Sequence, residues 1–325
     1  MNLATTARRP SLFALLCTST ACTAFLGGCA STGHGEKKEM PLPRQVSVFH
    51  GDGSPAAWND LVASASASDV VLVGENHGHP LGLSSAAALW DDILAEKPQA
   101  TLAMEFFERD EQAALDDYVA GLTDEAAFRK AAHRTDGSYP DGHRHMVEAS
   151  KARSRPVVAA NAPRRYVRIA RTDGYDKLAG LREEQKRLFR IPESLPTGPY
   201  REAFNAIMTP QGESKANSHG EAPSTDPAKE AARLDAAFRS QSLWDWTMAD
   251  SVSRAVTEGG KPVLLVVGRF HVDKDGGTVL ALRKINPGVH AVTVSFVNDW
   301  STSLADEDKG RADYVVYVGP GPEEN

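Results

Sequence analysis

The sequence predicts an α/β fold: a mostly parallel central sheet flanked by helices, with a helical cap. Two observations carry this prediction. Short apolar runs rich in β-branched residues alternate with longer segments of helical periodicity, and such runs are typical of parallel strands covered on both faces. Several of the runs also end abruptly in polar side chains. In the clearest case, Val70–Val73 and Gly74 are followed by Glu75, Asn76 and His77.

The alternation of strand and helix begins near residue 45. A first strand is expected at 46–49, a helix at 55–67 that Ser54 caps and Pro55 opens, and a second strand at 69–73. The same criteria place helices at 81–96, 108–120, 123–132 (capped by Thr123), 143–153, 228–257 and 277–285, and strands at 100–104, 156–160, 261–267, 290–294 and 314–318.

The N-terminus has the composition of a secretory signal. Residues 1–28 contain Arg8 and Arg9 followed by an apolar run that is too short for a transmembrane helix. The run ends in Leu-Gly-Gly-Cys at 26–29, which resembles the lipobox of bacterial lipoproteins, so we expect a lipoprotein signal peptide at 1–28 and a lipid on Cys29. A cut near Ala30 by the common signal peptidase is the alternative.

The rest of the chain divides into a linker and one domain. Residues 29–44 are rich in Gly, Ser, Lys, Glu and Pro, a composition typical of a flexible tether. Residues 45–325 show no second boundary and are interpreted as a single α/β domain. Within it, the aperiodic and polar stretch near 209–227 is expected to form a mobile loop.

Charge and cysteine content exclude two classes of protein. Removal of residues 1–28, which contain two arginines and no acidic residue, changes the formal net charge from −7 to −9. An acidic chain is a poor ligand for polyanions, so no nucleic acid partner is expected. Cys17 and Cys22 leave with the signal peptide, so Cys29 has no partner for an intrachain disulfide.

Four predicted strands end in side chains that carry chemistry: Glu75 with His77, Glu105, Asn161 and His271. Because the carboxyl ends of parallel strands lie at one edge of a sheet, these groups are predicted to form one pocket. Their chemistry fits a divalent metal site, acid–base hydrolysis or a cofactor pocket. The sequence contains no Gly-x-Ser-x-Gly, P-loop or Gly-x-Gly-x-x-Gly motif, so assignment to the common serine hydrolases or nucleotide-binding proteins has no support.

Five blocks carry a resemblance to a known family. They are Val-Gly-Glu-Asn-His at 73–77, Met-Glu-Phe-Phe at 104–107, Ala-Asn-Ala-Pro-Arg-Arg-Tyr at 160–166, Gln-Ser-Leu-Trp-Asp-Trp-Thr-Met-Ala at 241–249 and Gly-x-x-His at 268–271. In this order they resemble the ChaN family of haem-binding uptake lipoproteins, which belongs to a wider group with the Tiki/TraB proteins and the erythromycin esterases. The sequence departs from the family at His143, where relatives commonly have tyrosine.

The resemblance implies haem binding in iron acquisition, with the iron bound by a tyrosine and haems stacked across a homodimer. Tyr139 is the nearest tyrosine, and His143 or His145 could replace it as axial ligand. The residues expected to contact haem are Glu75, His77, Glu105, Tyr139, His143, Asn161, Arg165 and His271.

We therefore expect a lipid-anchored haem-binding protein of the bacterial cell envelope, attached to the membrane through Cys29. Ala30 after the cysteine favours the outer membrane, with the domain facing the periplasm. The alternative is an esterase-like or metal-dependent hydrolase that uses Glu75, His77, Glu105 and His271.

Overall fold

The computed structural model describes residues 43–209 and 225–321. The signal peptide predicted at 1–28, the lipid site Cys29, nearly all of the tether and most of the loop predicted at 209–227 lie outside the described residues. Arg44, the last residue of the predicted tether, forms an ion pair with Asp92 at 2.8 Å. None of the described helices combines the length and the apolar character needed to cross a bilayer.

The strands of the described chain form one sheet. They are β1 (Ser47–His50), β2 (Pro55–Ala56), β3 (Val70–Glu75), β4 (Thr101–Glu108), β5 (Val157–Asn161), β6 (Val263–Gly268), β7 (Ala291–Val297) and β8 (Tyr314–Tyr317). Their order is β2-β1-β8-β7-β3-β6-β4-β5. All neighbours from β8 to β5 are parallel, whereas β1 is antiparallel to β2 and to β8. The predicted α/β fold with a mostly parallel sheet is confirmed.

Helices cover both faces of this sheet. The described helices are α1 (Trp58–Ala67), α2 (Pro80–Glu96), α3 (Gln112–Val119), α4 (Glu125–Ala131), α5 (Asp141–Ala152), α6 (Arg164–Thr172), α7 (Tyr175–Ala179), α8 (Glu183–Lys186), α9 (Pro199–Met208), α10 (Pro227–Thr257) and α11 (Gly277–Ile285). Because successive strand residues point to opposite faces, Val71 and Val73 pack with Trp90 of α2 in one cluster, while Leu72 packs with Met248 of α10 in another.

A group of helices beyond the sheet forms the predicted cap. Tyr166 of α6 and Phe189 pack with Leu243 of α10 in one cluster. Tyr200 and Phe204 of α9 pack with Phe238 of α10 in a second cluster. Because α10 also packs on the sheet through its later residues, this long helix connects the cap to the sheet.

Two helix starts differ from prediction because nearby carboxylates supply the caps. Pro55 does not open α1 but lies in β2, opposite Phe49, and the Ala57 N–H donates to Asp60 at 2.8 Å, so the helix starts at Trp58. Thr123 does not cap α4, since Asp124 accepts the Ala127 N–H at 2.8 Å.

Strand β4 is longer than predicted. It continues through Glu105 to Glu108, with a shift of register against β5 between Met104 and Glu108. The helix predicted from Glu108 starts at Gln112, after a short 3-10 turn at Arg109–Glu111. Glu105 therefore lies within the strand, in an irregular segment of the kind that redirects side chains beside sites.

Candidate functional site

The four strands with polar ends are neighbours in the sheet. Strands β3, β6, β4 and β5 are adjacent and parallel, so their carboxyl ends lie along one edge, which we call the rim. Glu75 ends β3, Asn161 ends β5, and His271 follows β6 in a 3-10 turn. The predicted convergence of these groups thus follows from the strand order.

Glu75 is a fully buried carboxylate that binds two imidazoles. Its Oε1 lies 3.1 Å from Nδ1 of His77, and its Oε2 lies 2.8 Å from Nε2 of His143. Burial acts to raise the pKa of Glu75, but the hydrogen bonds from His143 and His77 outweigh it and hold the pKa below its usual value. The hydrogen bond to Glu75 in turn raises the pKa of His77.

A second buried carboxylate orients His271. Oδ1 of Asp245, from α10, lies 2.6 Å from Nδ1 of His271 and accepts the Thr278 hydroxyl at 2.9 Å, and Oδ2 accepts the Tyr200 hydroxyl at 2.6 Å. Burial acts to lower the pKa of His271, but the charge and hydrogen bond of Asp245, together with Glu105, raise it to about 8. Asp245 therefore fixes the orientation of the imidazole and favours its protonated form.

Glu105 lies between the two imidazole–carboxylate pairs. Its Oε2 accepts the Gly268 N–H at 2.6 Å and lies 3.9 Å from Nε2 of His77. Its Oε1 lies 3.7 Å from Nε2 of His271. Imidazoles and carboxylates therefore alternate along the rim from His143 to Asp245.

A cavity of about 760 Å³ opens beside this row. We call it the rim cavity, and its wall includes both apolar and charged side chains, among them His77, Glu105, Phe106, His133, Arg134, Arg164 and Trp244. Its volume falls within the range of about 300–1,000 Å³ that small-molecule pockets occupy. Phe106 and Trp244 are half-buried and offer ring surface, while His133 is exposed.

The two predicted iron ligands are buried beneath this wall. Tyr139 is 3% exposed and packs against Phe107 and Phe128; its hydroxyl has no hydrogen-bond partner, and burial raises its pKa. His143 is 1% exposed, with Phe106 at 3.8 Å between ring centroids. Its Nδ1 has no partner.

The other predicted contacts differ in their position relative to the rim. Asn161 lines the cavity, and its Oδ1 accepts the Ala162 N–H at 2.9 Å. Arg165 forms an ion pair with Asp110 on the surface. His145, the other candidate for axial ligand, forms an exposed pair with Asp91 at 2.7 Å. The structure thus brings together Glu75, His77, Glu105, His143 and His271, with Asn161 at the cavity wall.

Asp245 was missed as a candidate site residue. A signal for it was present, because Asp245 follows Phe238 by seven residues, two helical turns that return to the same face of α10. A carboxylate on a buried helical face requires a partner. That partner, His271, lies 26 residues further along the chain.

The rim defines an α/β protein with a candidate ligand pocket at the carboxyl ends of its strands. The sequence matches the family described as haem-binding uptake, Tiki superfamily, ChaN, over residues 61–282. The chain belongs to this family, which confirms the resemblance carried by the five sequence blocks. No protein of curated function matches the chain.

One solved structure supports the fold, and two others show a weaker similarity. The chain resembles ChaN of Campylobacter jejuni, a structure described as showing cofacial haem binding, with a TM-score of 0.61 and 16% identity over 83% of this chain and 96% of that one. Erythromycin esterase EreC in its open conformation matches with a TM-score of 0.45 and 11% identity, over 81% of this chain and 79% of that one. A Bacillus cereus protein matches with a TM-score of 0.42 and 14% identity, over 75% of this chain and 70% of that one.

Proposed function

We propose that this protein binds haem in the rim cavity and serves haem or iron uptake as a lipid-anchored protein. The observation that carries the proposal is the composition of the cavity wall. Phe106 and Trp244 offer aromatic surface for a porphyrin, and the exposed His133 offers an imidazole. These groups fit haem, since imidazole is a common ligand of haem iron.

His133 is our proposed axial ligand. Tyr139 and His143, the ligands expected from sequence, belong to the segment 133–143, but they are buried against Phe107 and Phe106 respectively and do not line the cavity. His133 belongs to the same segment and already lies at the cavity wall. Its backbone has φ at +53°, and its N–H donates to the carbonyl oxygen of Lys130 at 3.3 Å.

Two arginines at the wall suit the propionates of haem. The Arg164 side chain is 91% exposed, with Nε 3.5 Å from Glu108. Arg134 pairs with Glu111, and its buried Nε has no hydrogen-bond partner. Guanidinium groups form strong charge-assisted hydrogen bonds to carboxylates, so we expect Arg164→Ala to weaken haem binding roughly tenfold.

Titration with haemin tests the proposal. The chain from residue 30 should show a saturable shift of the Soret band, and His133→Ala should change the spectrum of bound haem because it removes the axial ligand. His145→Ala, a surface imidazole outside the cavity, is the matched control and should leave the spectrum unchanged. A changed spectrum from Tyr139→Phe or His143→Ala, with His133→Ala silent, would assign the iron to the buried pair instead.

A hydrolase is the second candidate function. It is favoured by one observation: His77 and His271 each have Nδ1 bound to a buried carboxylate, the arrangement that orients an imidazole as a general base. In this reading Glu75, His77, Glu105 and His271 act on a substrate in the cavity, and haemin produces no saturable Soret shift.

We also propose that Cys29 carries a lipid that anchors the protein in the outer membrane, facing the periplasm. The support is the lipobox at 26–29 and Ala30 after it. Cys29→Ala should leave the precursor uncut and abolish labelling by a palmitate analogue, since no other cysteine follows residue 29. Labelling that survives the substitution would contradict lipidation, and wild-type protein in the inner membrane would contradict the sorting.

A further inference from the structure

A second cavity lies among the helices of the cap. It is lined by residues within 164–171 of α6, 204–208 of α9 and 237–244 of α10, and we call it the α6 groove. Its volume of about 390 Å³ falls within the range of about 300–1,000 Å³ that small-molecule pockets occupy. Arg164 and Trp244 line both the groove and the rim cavity. Among the described residues, none of the imidazoles and carboxylates of the rim lines the groove, so the two cavities share a wall but differ in chemistry.

One side of the α6 groove is cationic. Arg164, Arg168 and Arg171 follow one another at helical spacing on one face of α6, and all of them line the groove. No aspartate or glutamate of the described chain does so. Arg168 is exposed, and within residues 43–209 and 225–321 its guanidinium has no hydrogen-bond or ion-pair partner. The unpaired charge of Arg168 therefore favours an anionic ligand.

The floor of the α6 groove is apolar. Val167, Phe204, Met208 and Ala237 are buried residues that line it, and Trp244 is half-buried beside them. The unbranched side chain of methionine adapts to ligands of irregular shape. An inorganic anion would leave this floor unused, and a neutral hydrocarbon would leave Arg168 unpaired. The groove as a whole therefore matches a ligand with an anionic head and an apolar body.

The polar side chains of the floor are already engaged. The Ser240 hydroxyl donates to the carbonyl oxygen of Val167 at 3.3 Å, and the Gln241 amide nitrogen lies 3.3 Å from Nδ1 of His271. A bound peptide would need hydrogen-bond partners for its own backbone. An alkyl chain needs none, so the floor favours an alkyl chain over an acidic peptide.

We propose that the α6 groove binds a fatty acid, with its carboxylate at Arg168 and its alkyl chain along the apolar floor. Guanidinium groups form charge-assisted hydrogen bonds to carboxylates, and each methylene that leaves water adds hydrophobic stabilisation. Arg168 lines the groove but not the rim cavity. The fatty acid site is therefore separate from the haem pocket, and it goes beyond the proposed function.

Calorimetry with octanoate, decanoate and dodecanoate, each below the concentration at which it forms micelles, tests the groove. Detergent would compete for an apolar site, so the chain from residue 30 is used; residues 40–325 form one compact unit, which this chain retains. One molecule per chain should bind, and its affinity should rise about fourfold for each added methylene. Arg168→Ala should weaken dodecanoate binding roughly tenfold, and Arg168→Glu further. Arg182→Ala, which removes an exposed arginine outside the groove, is the matched control.

Circular dichroism of each variant separates loss of the ligand from loss of the fold. Affinity that does not rise with chain length, or that Arg168→Glu leaves unchanged, would overturn the proposal. Equal binding of a hexaglutamate peptide would identify an acidic peptide site instead, and binding to anionic phospholipid vesicles without binding of monomeric dodecanoate would identify a membrane surface.

Haemin titration of the same preparations keeps the two proposals apart. Loss of dodecanoate binding in Arg168→Glu with an unchanged Soret shift supports two separate sites. A wild type that binds dodecanoate without a Soret shift supports the groove and contradicts the haem proposal. Displacement of dodecanoate by one equivalent of haemin would place the alkyl chain in the rim cavity and overturn the assignment to the groove.

Discussion

Replacement of Glu75 by alanine should lower the free energy of unfolding by about 3–5 kcal/mol. The carboxylate is completely buried and binds His77 and His143 at 3.1 and 2.8 Å. Alanine leaves the Nε2 atom of His143, a residue only 1% exposed, without its partner in an apolar environment. Denaturation in urea, followed by circular dichroism, measures the change.

The chain offers a matched control for this prediction. Asp91 and His145 form the same kind of carboxylate–imidazole pair at 2.7 Å, but their side chains are 31% and 55% exposed. Because exposed ion pairs contribute little, Asp91→Ala should cost under about 1 kcal/mol. Equal losses from Glu75→Ala and Asp91→Ala would show that burial does not control the contribution of these pairs.

The sheet and its rim were predictable because their signals are local. Each buried strand is a continuous apolar run, and in a parallel sheet such runs end at the same edge. Glu75, Glu105 and His271 could therefore be placed together without knowledge of the strand order. The order β3-β6-β4-β5 then determines that Glu105 lies beside Gly268 of β6.

The rest of the site depends on contacts between distant residues. His143 reaches Glu75 from α5, 68 positions away, and Asp245 reaches His271 from α10. Tyr139 lies in a turn-rich stretch of sequence at 133–142, but its ring packs with Phe107 and Phe128. Periodicity within a segment indicates which face is buried, but it does not identify the partner that the face meets.

Helix starts were predicted less well for a different reason. Thr123 and Asp124 are both suitable N-cap residues, and the sequence does not indicate which of them has the required backbone geometry. The structure places the cap at Asp124. At Pro55, the pairing of β2 with β1 outweighs the preference of proline for the first turn of a helix.

Replacement of Gly277 by alanine tests how closely α11 approaches the Asp245 network. A Cβ at this first residue of α11 would overlap the Asp245 carboxylate and lie 2.5 Å from the Tyr200 hydroxyl. The carboxylate would have to move, which disturbs its bonds to His271, Tyr200 and Thr278, so we expect a loss of roughly 3 kcal/mol or more in the free energy of unfolding. Gly288→Ala is the matched control, because no atom lies within 4 Å of a Cβ there, and it should stay within about 0.5 kcal/mol of the wild type in the same urea titration. A Gly277→Ala protein as stable as Gly288→Ala would show that the first turn of α11 moves away from Asp245 at little cost.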